Sequence, residues 1–296
     1  MNNVHQTSTV QSNKAEATLT NLLGAKPTLA IAALAIVKSD NLDRKIMLAN
    51  ATAKAWYARQ LDLSTLSRPL DMPDRPGRPD NPELRPPREM PRRSSHGPRG
   101  RYALLHALAH IELNAVDMTW DLVARFAHET MPRAFFDDWV QVGLEEAKHF
   151  NLLSKRLNEL DGAYGDLPAH DGLWQAAHAT GHDLLARLAI VPLILEARGL
   201  DVTPSMIEKL KKAEDQASAD IIEIIYRDEK RHVAFGMKWF RFMCQRANLP
   251  LEATFHKLVR EHFRGPLKPP FNEAARSEAG LSPSFYKPLT AFGAVA

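Results

Sequence analysis

A chain that twice sets an acid and an imidazole three residues apart on the apolar stripe of a helix has few ways to fold. The first instance is Glu145-Glu146-Ala147-Lys148-His149, where the stripe runs Trp139, Val142, Glu146, His149, Leu153. The second is Asp228-Glu229-Lys230-Arg231-His232, within a stripe of Ile222, Ile225, Val233, Gly236, Trp239 and Phe240. Positions i and i+3 share a helix face, so each pair points into whatever its helix buries. Buried charge is costly unless it is paired or bound to a metal. Two such helices need a common partner, and a pair of metal ions is the obvious candidate.

Two lone glutamates complete the pattern. Glu112 lies between Leu108 and Ala115, and Glu196 lies among Leu188, Ala189, Pro192 and Gly199. Glu112 precedes Glu146 by 34 residues and Glu196 precedes Glu229 by 33, while the two halves are offset by 84 and 83. Each half therefore carries an acid and then acid-x-x-His in nearly equal register. A turn near Thr130-Met131-Pro132 falls about midway between Glu112 and Glu146, which places both at one level of an antiparallel helix pair. In the second half the midpoint falls near 212–213, beyond the Gly199–Pro204 break. The spacing thus predicts that 206–213 continues the preceding helix and that the chain reverses only near 214–216.

Four carboxylates and two imidazoles suit two ions of non-haem iron, or manganese, better than a structural zinc. A Glu from each of two helices and Glu-x-x-His from two others is the ligand plan of di-iron and di-manganese carboxylate bundles. A lone Glu-x-x-His is usually a surface pair, and only its doubling in register separates this chain from that reading. The i, i+4 pairs His106/His110 and His178/His182 read as helix-face or hydrogen-bonding residues. Tyr226, three residues before Glu229, is either a packing residue or a redox-active side chain. Glu223 is offset from the ligand face. Pro192 removes a backbone bond and would bend its helix.

The rest of the chain sets limits. With 296 residues, 45% hydrophobic and 25% charged, it reads as an ordinary globular protein of one large or two small domains. A net charge of +3 is too small to imply nucleic-acid binding by itself. The lone Cys244 excludes a disulfide framework and a Cys₄ site, and makes a core residue. The apolar run from Leu29 to Val37 is too short to span a bilayer, so a cytoplasmic location without a membrane partner is expected.

Residues 1–67 read as an N-terminal helical segment after a polar tail over 1–12. It has one helix over 14–38, weakened at Gly24 and Pro27, and a second ending near Gln60 and capped by Asp40 or Asn41. Residues 68–100 read as an extended connector, since 68–101 hold nine Pro and nine Arg against five acidic residues. Prolines at that density exclude helix and central strand. The connector is either a strap or a phosphate-binding segment. Residues 101–263 read as a bundle of helices at 101–127, 134–160, 172–199 and 216–246, with a crossover loop at 161–171. Residues 264–296 are expected to wrap over the bundle without regular structure.

The doubled motif resembles the (Asp/Glu)-Glu-x-Arg-His pair of soluble di-iron oxygenases and acyl-carrier desaturases. By that resemblance Glu145, Asp228 and Arg231 would orient the imidazole ligands, with Lys148 standing where the first motif would carry Arg. The whole chain, including the connector and Leu267-Lys268-Pro269-Pro270-Phe271-Asn272, resembles a bacterial ferritin-like family described as a domain of unknown function. The expected fold is all-α: a ferritin-like four-helix bundle with added N-terminal helices. The expected ligands are Glu112, Glu146, His149, Glu196, Glu229 and His232. The leading expectation is an oxidoreductase that uses O₂ or peroxide on a small organic substrate by hydroxylation, desaturation or N-oxygenation. It would draw on an external electron donor, because no flavin, nicotinamide or iron–sulfur motif occurs. Other readings are a ferroxidase or rubrerythrin-like peroxide reductase, a tRNA hydroxylase using the connector arginines, and a non-catalytic scaffold. A homodimer is compatible with all of them.

Overall fold

The computed structural model describes residues 19, 28–63, 68–90, 97–264 and 266–291. The expected tail over 1–12, much of the helix expected at 14–38, and Arg92 and Arg93 lie outside the described residues. Among those described the protein is all-α, with no strand and an isolated parallel bridge between Leu84 and Ala169. The chain forms two compact units.

The first unit comprises residues 1–84, 109–151 and 164–169. It contains α1 (Leu29–Lys38) and α2 (Leu42–Tyr57), which pack together. Asn41 caps α2, its side-chain oxygen accepting from the Arg44 amide at 2.8 Å. Ile46, Leu48, Ala53 and Trp56 form the buried face of α2. The unit also takes residues 109–125 of α3 (Gly97–Arg125) and 133–151 of α4 (Arg133–Glu159). Every residue of α3 from Glu112 to Ala124 is buried.

A helix buried on all sides has to satisfy its polar residues internally. Lys45 of α2, fully buried, donates to Asp117. Arg78 approaches the other Asp117 oxygen at 3.4 Å and donates to Asn114 Oδ1 at 2.6 Å. Asp121 accepts three bonds from Arg125, one turn on. Burial pushes the Asp117 carboxyl above its ordinary pKa, although Lys45 and Arg78 pull against it.

Arg78 belongs to the Pro/Arg connector, which in this unit is a strap. The Gly77 amide donates to Val37 O at 2.8 Å, and the Ala169 amide donates to Glu83 O at 3.0 Å. At least one connector arginine therefore serves an internal acid.

The second unit comprises residues 85–108, 152–163 and 170–296. Here one continuous helix over 172–199 was expected, and the structure differs. The chain forms α5 (Gly172–Ala179), breaks at 180–183, and resumes as α6 (Leu184–Ile190). Asp183 caps α6 by accepting from the Leu185 amide at 2.8 Å. The fully buried Arg187 holds the corner, donating to Ala177 O at 2.6 Å and Thr180 Oγ1 at 3.1 Å. A π-helical turn, Val191–Glu196, follows, with Pro192 in its first positions. Proline has no amide to donate into an α-helical ladder, so a change of winding here relieves the conflict.

From the π turn α7 (Ala197–Lys212) runs unbroken through Gly199 and Pro204, and the chain reverses over 213–215 with Glu214 at φ 58°. Helix α8 spans Gln216–Arg246 and packs along α7. Both features follow the spacing argument. A Cβ on Gly236 of α8 would lie 2.5 Å from Pro192 Cβ, so glycine lets α8 close onto the π turn.

After α9 (Leu251–His262) the tail is more regular than expected, with α10 (Glu273–Glu278) and α11 (Pro283–Tyr286). Asn272 caps α10 by accepting from the Ala275 amide at 3.2 Å. Arg276 bonds Asp201 of α7 through two nitrogens, at 2.8 and 2.7 Å. Phe285 packs edge-on against Phe255 of α9. Local caps and two anchor points make these short helices possible in a Pro-rich segment. No described helix is long and apolar enough to cross a membrane.

Candidate metal centre

Glu112 enters the buried stretch of α3, while Glu146 and His149 stand one turn apart on α4. The apolar stripe of α4 turns both inward, and each is fully buried. Nδ1 of His149 lies 3.2 Å from Glu112 Oε2 and 3.3 Å from Glu146 Oε2. Close approach of α3 and α4 depends on Gly143, where a Cβ would lie 2.7 Å from the Trp120 ring.

Glu112, Glu146, His149 and Glu229 each offer one ligand atom, and these atoms all lie within 4.8 Å of one another. Metal–oxygen and metal–nitrogen bonds of about 2.0–2.2 Å put opposite ligands of one ion roughly 4 Å apart. The spread of the four atoms is thus close to that of the ligands around one cation. The donor set fits as well: three carboxylates crowd one imidazole, an arrangement that a divalent cation neutralises. The Glu229 side chain retains 12% exposure and its Oε1 lies 3.6 Å from His232 Nδ1. His232 itself is fully buried.

The remaining expected residues are placed differently. Glu196 ends the π-helical turn and, like His232, is not in the group of four. Glu145 is buried and accepts from the Gln141 side chain, Nε2, at 2.7 Å. Asp228, also buried, lies 3.5 Å from Arg231, whose side chain is 46% exposed. Lys148 is exposed. Tyr226 Oη accepts from the Asn272 side chain at 2.9 Å. Glu223 is exposed and pairs with Lys211 of α7.

The sequence reads His110 as a helix-face or hydrogen-bonding residue and carries no signal for Tyr164 in the loop at 161–171. The two are joined, with Tyr164 Oη 2.8 Å from His110 Nδ1. The Tyr164 ring meets Phe150, the residue after His149, edge-on at 5.3 Å. Burial pushes the Tyr164 phenol above its ordinary pKa, with Asp117 adding to the rise and Arg78 opposing it. The Lys45–Asp117–Arg78 network was also missed. Its one sequence signal is an acid, Asp117, inside a run of α3 otherwise spaced for burial.

Comparison with known proteins places the chain in a family. An uncharacterized protein of Haemophilus influenzae is 39% identical over 209 residues, covering 69% of this chain and 73% of that one. No solved structure matches. The family described as "Protein of unknown function (DUF455)" matches residues 38–287, and the chain belongs to it.

Proposed function

We propose that this protein is a di-iron carboxylate oxidoreductase built on a ferritin-like four-helix bundle, with manganese the other metal the donor set accepts. The observation that carries the reading is the convergence of Glu112, Glu146, His149 and Glu229 within 4.8 Å. Glu196 and His232, in matching register, would complete the second ion's ligands. Bound iron would supply one-electron redox chemistry for the reduction of O₂ or peroxide, coupled to oxidation of a small organic substrate.

The protein's own residues set the conditions for that chemistry. The carboxylates of Glu112 and Glu146 supply negative charge that favours binding of cations. Full burial of Glu146 and His149 keeps bulk water from competing for them and strengthens every charge interaction inside. Gly143 and Trp120 fix the separation of the helices that carry these ligands. Electrons would come from an external donor protein or cofactor, because the chain carries no flavin, nicotinamide or iron–sulfur motif.

Elemental analysis of the full chain expressed with iron tests the reading. Two ions per chain, with a new absorption band when the reduced protein meets O₂, support it. A full chain that holds no metal overturns it and moves the non-catalytic scaffold to the front.

A further inference from the structure

Sequence spacing pairs His182 with His178, four residues before it on one expected helix. The structure breaks that pair, because His178 lies in α5 and His182 in the break at 180–183. His182 meets instead His262, the last residue of α9, with ring centres 5.6 Å apart and planes inclined at 56°. Both rings belong to the second unit, in which α6 and α9 pack together.

Other histidines have hydrogen-bond partners. His128 and His256 reach backbone carbonyls, and His170 accepts from the Gly172 amide. His182 and His262 make no hydrogen bond to any described residue. His182 is exposed and the His262 side chain retains 13% exposure, so solvent reaches both rings. The Glu261 carboxylate, 55% exposed, lies 3.9 Å from His262 Nε2.

Two imidazoles on one ion have a characteristic separation. Metal–nitrogen bonds of about 2.0–2.1 Å, with each ring centre roughly 1.2 Å behind its nitrogen, put the centres about 5.2–5.4 Å apart at a tetrahedral ion. The observed 5.6 Å is close to that spacing. The ring planes are free to turn about the metal–nitrogen bonds, so their inclination is no obstacle. Imidazole is the donor that zinc, nickel and copper favour, and water readily fills positions that a surface site leaves open.

We propose that His182 and His262 together bind one divalent transition cation of the zinc class, with Glu261 as a third ligand. The ion would tie the corner between α5 and α6 to the end of α9. This site is separate from the buried group of four and independent of the di-iron reading.

The test uses the full chain without an affinity tag. Zn²⁺ is titrated against a colour-forming chelator in Glu146→Ala, whose buried group lacks a ligand. One Zn²⁺ is expected to bind. Adding His182→Ala or His262→Ala should weaken it by at least the roughly 10–100-fold that loss of a ligand's outer partner costs. His178→Ala should leave the affinity unchanged. The unaltered chain gives a second readout that needs no variant to fold. With saturating Cu²⁺, pulsed electron paramagnetic resonance should show a component carrying the remote nitrogens of two imidazoles on one ion, whereas the buried group of four offers one imidazole. Absence of that component, or a Zn²⁺ affinity unchanged in both histidine variants, overturns the proposal.

Discussion

His149 Nδ1 lies 3.2 Å from Glu112 Oε2, although the two residues are 37 apart in the chain. Glu146 stands 3.3 Å from the same nitrogen. Two buried carboxylates thus converge on one imidazole, an arrangement that a bound cation neutralises.

Replacement of a ligand should therefore be read in metal content first. Glu112→Ala and Glu146→Ala are each expected to reduce bound metal well below that of the unaltered chain under identical loading, as measured by elemental analysis. Unchanged stoichiometry in both variants would sink the ligand assignment.

Gly143→Ala tests the packing beneath the site. The added methyl would lie 2.7 Å from Trp120 Cε2, inside any normal contact. Such overpacking costs about 1–3 kcal/mol. Chemical denaturation should show that loss, and the variant should bind less metal because Glu146 follows one turn later on the displaced helix. A variant as stable as the parent would mean that α3 and α4 adjust freely there.

Arg276→Ala should be among the most destabilising changes in the tail. The Arg276 side chain is 3% exposed and Asp201 fully buried, so truncation takes away two of the carboxylate's bonds and leaves it the Asn272 amide at 3.0 Å and Arg198 at 3.3 Å. Breaking a buried pair costs roughly 3–5 kcal/mol, and these remaining partners hold the loss toward the lower end. Urea melts of Arg276→Ala and of Arg276→Ala/Asp201→Leu distinguish a stranded charge, which the double variant rescues, from simple loss of packing, which it does not.

Asp215 should shape the acid limb of stability. Burial alone would raise its pKa, but hydrogen bonds from the Ser218 hydroxyl and amide, together with Arg156, outweigh it and hold the carboxyl below its ordinary 3.8. A depressed pKa means the ionised form is favoured by folding. The contribution is thus complete above the unfolded value of 3.8 and is lost as pH falls through the lower folded value. The stability difference between parent and Asp215→Asn should be constant near neutrality and shrink below pH 3.8. A difference independent of pH would contradict an ionised Asp215 at the N-cap of α8, where it accepts from the Ser218 amide.

Some elements are legible in the sequence because one local rule decides them. Helix α8 can be read at its observed limits, Gln216–Arg246, since its apolar stripe keeps one period throughout. Asn41 caps α2 as its residue type suggests. The passage of α7 through Gly199 and Pro204 is legible from ligand spacing, against the local breaker residues. The break at 180–183 is not, because it depends on a buried Arg187 reaching back to Ala177 and Thr180, and arginine at that position also fits an ordinary helix.

By itself the sequence determined the helical class, the inward direction of Glu112, Glu146, His149 and Glu229, and the place where α7 turns back. These depend on helix period and rise, which act over a few residues and repeat. Tertiary structure alone decided that Asp117 takes Lys45, 72 residues away, and that His110 takes Tyr164, 54 residues away. Such partners are chosen by which side chains burial brings together, and no local spacing carries that information.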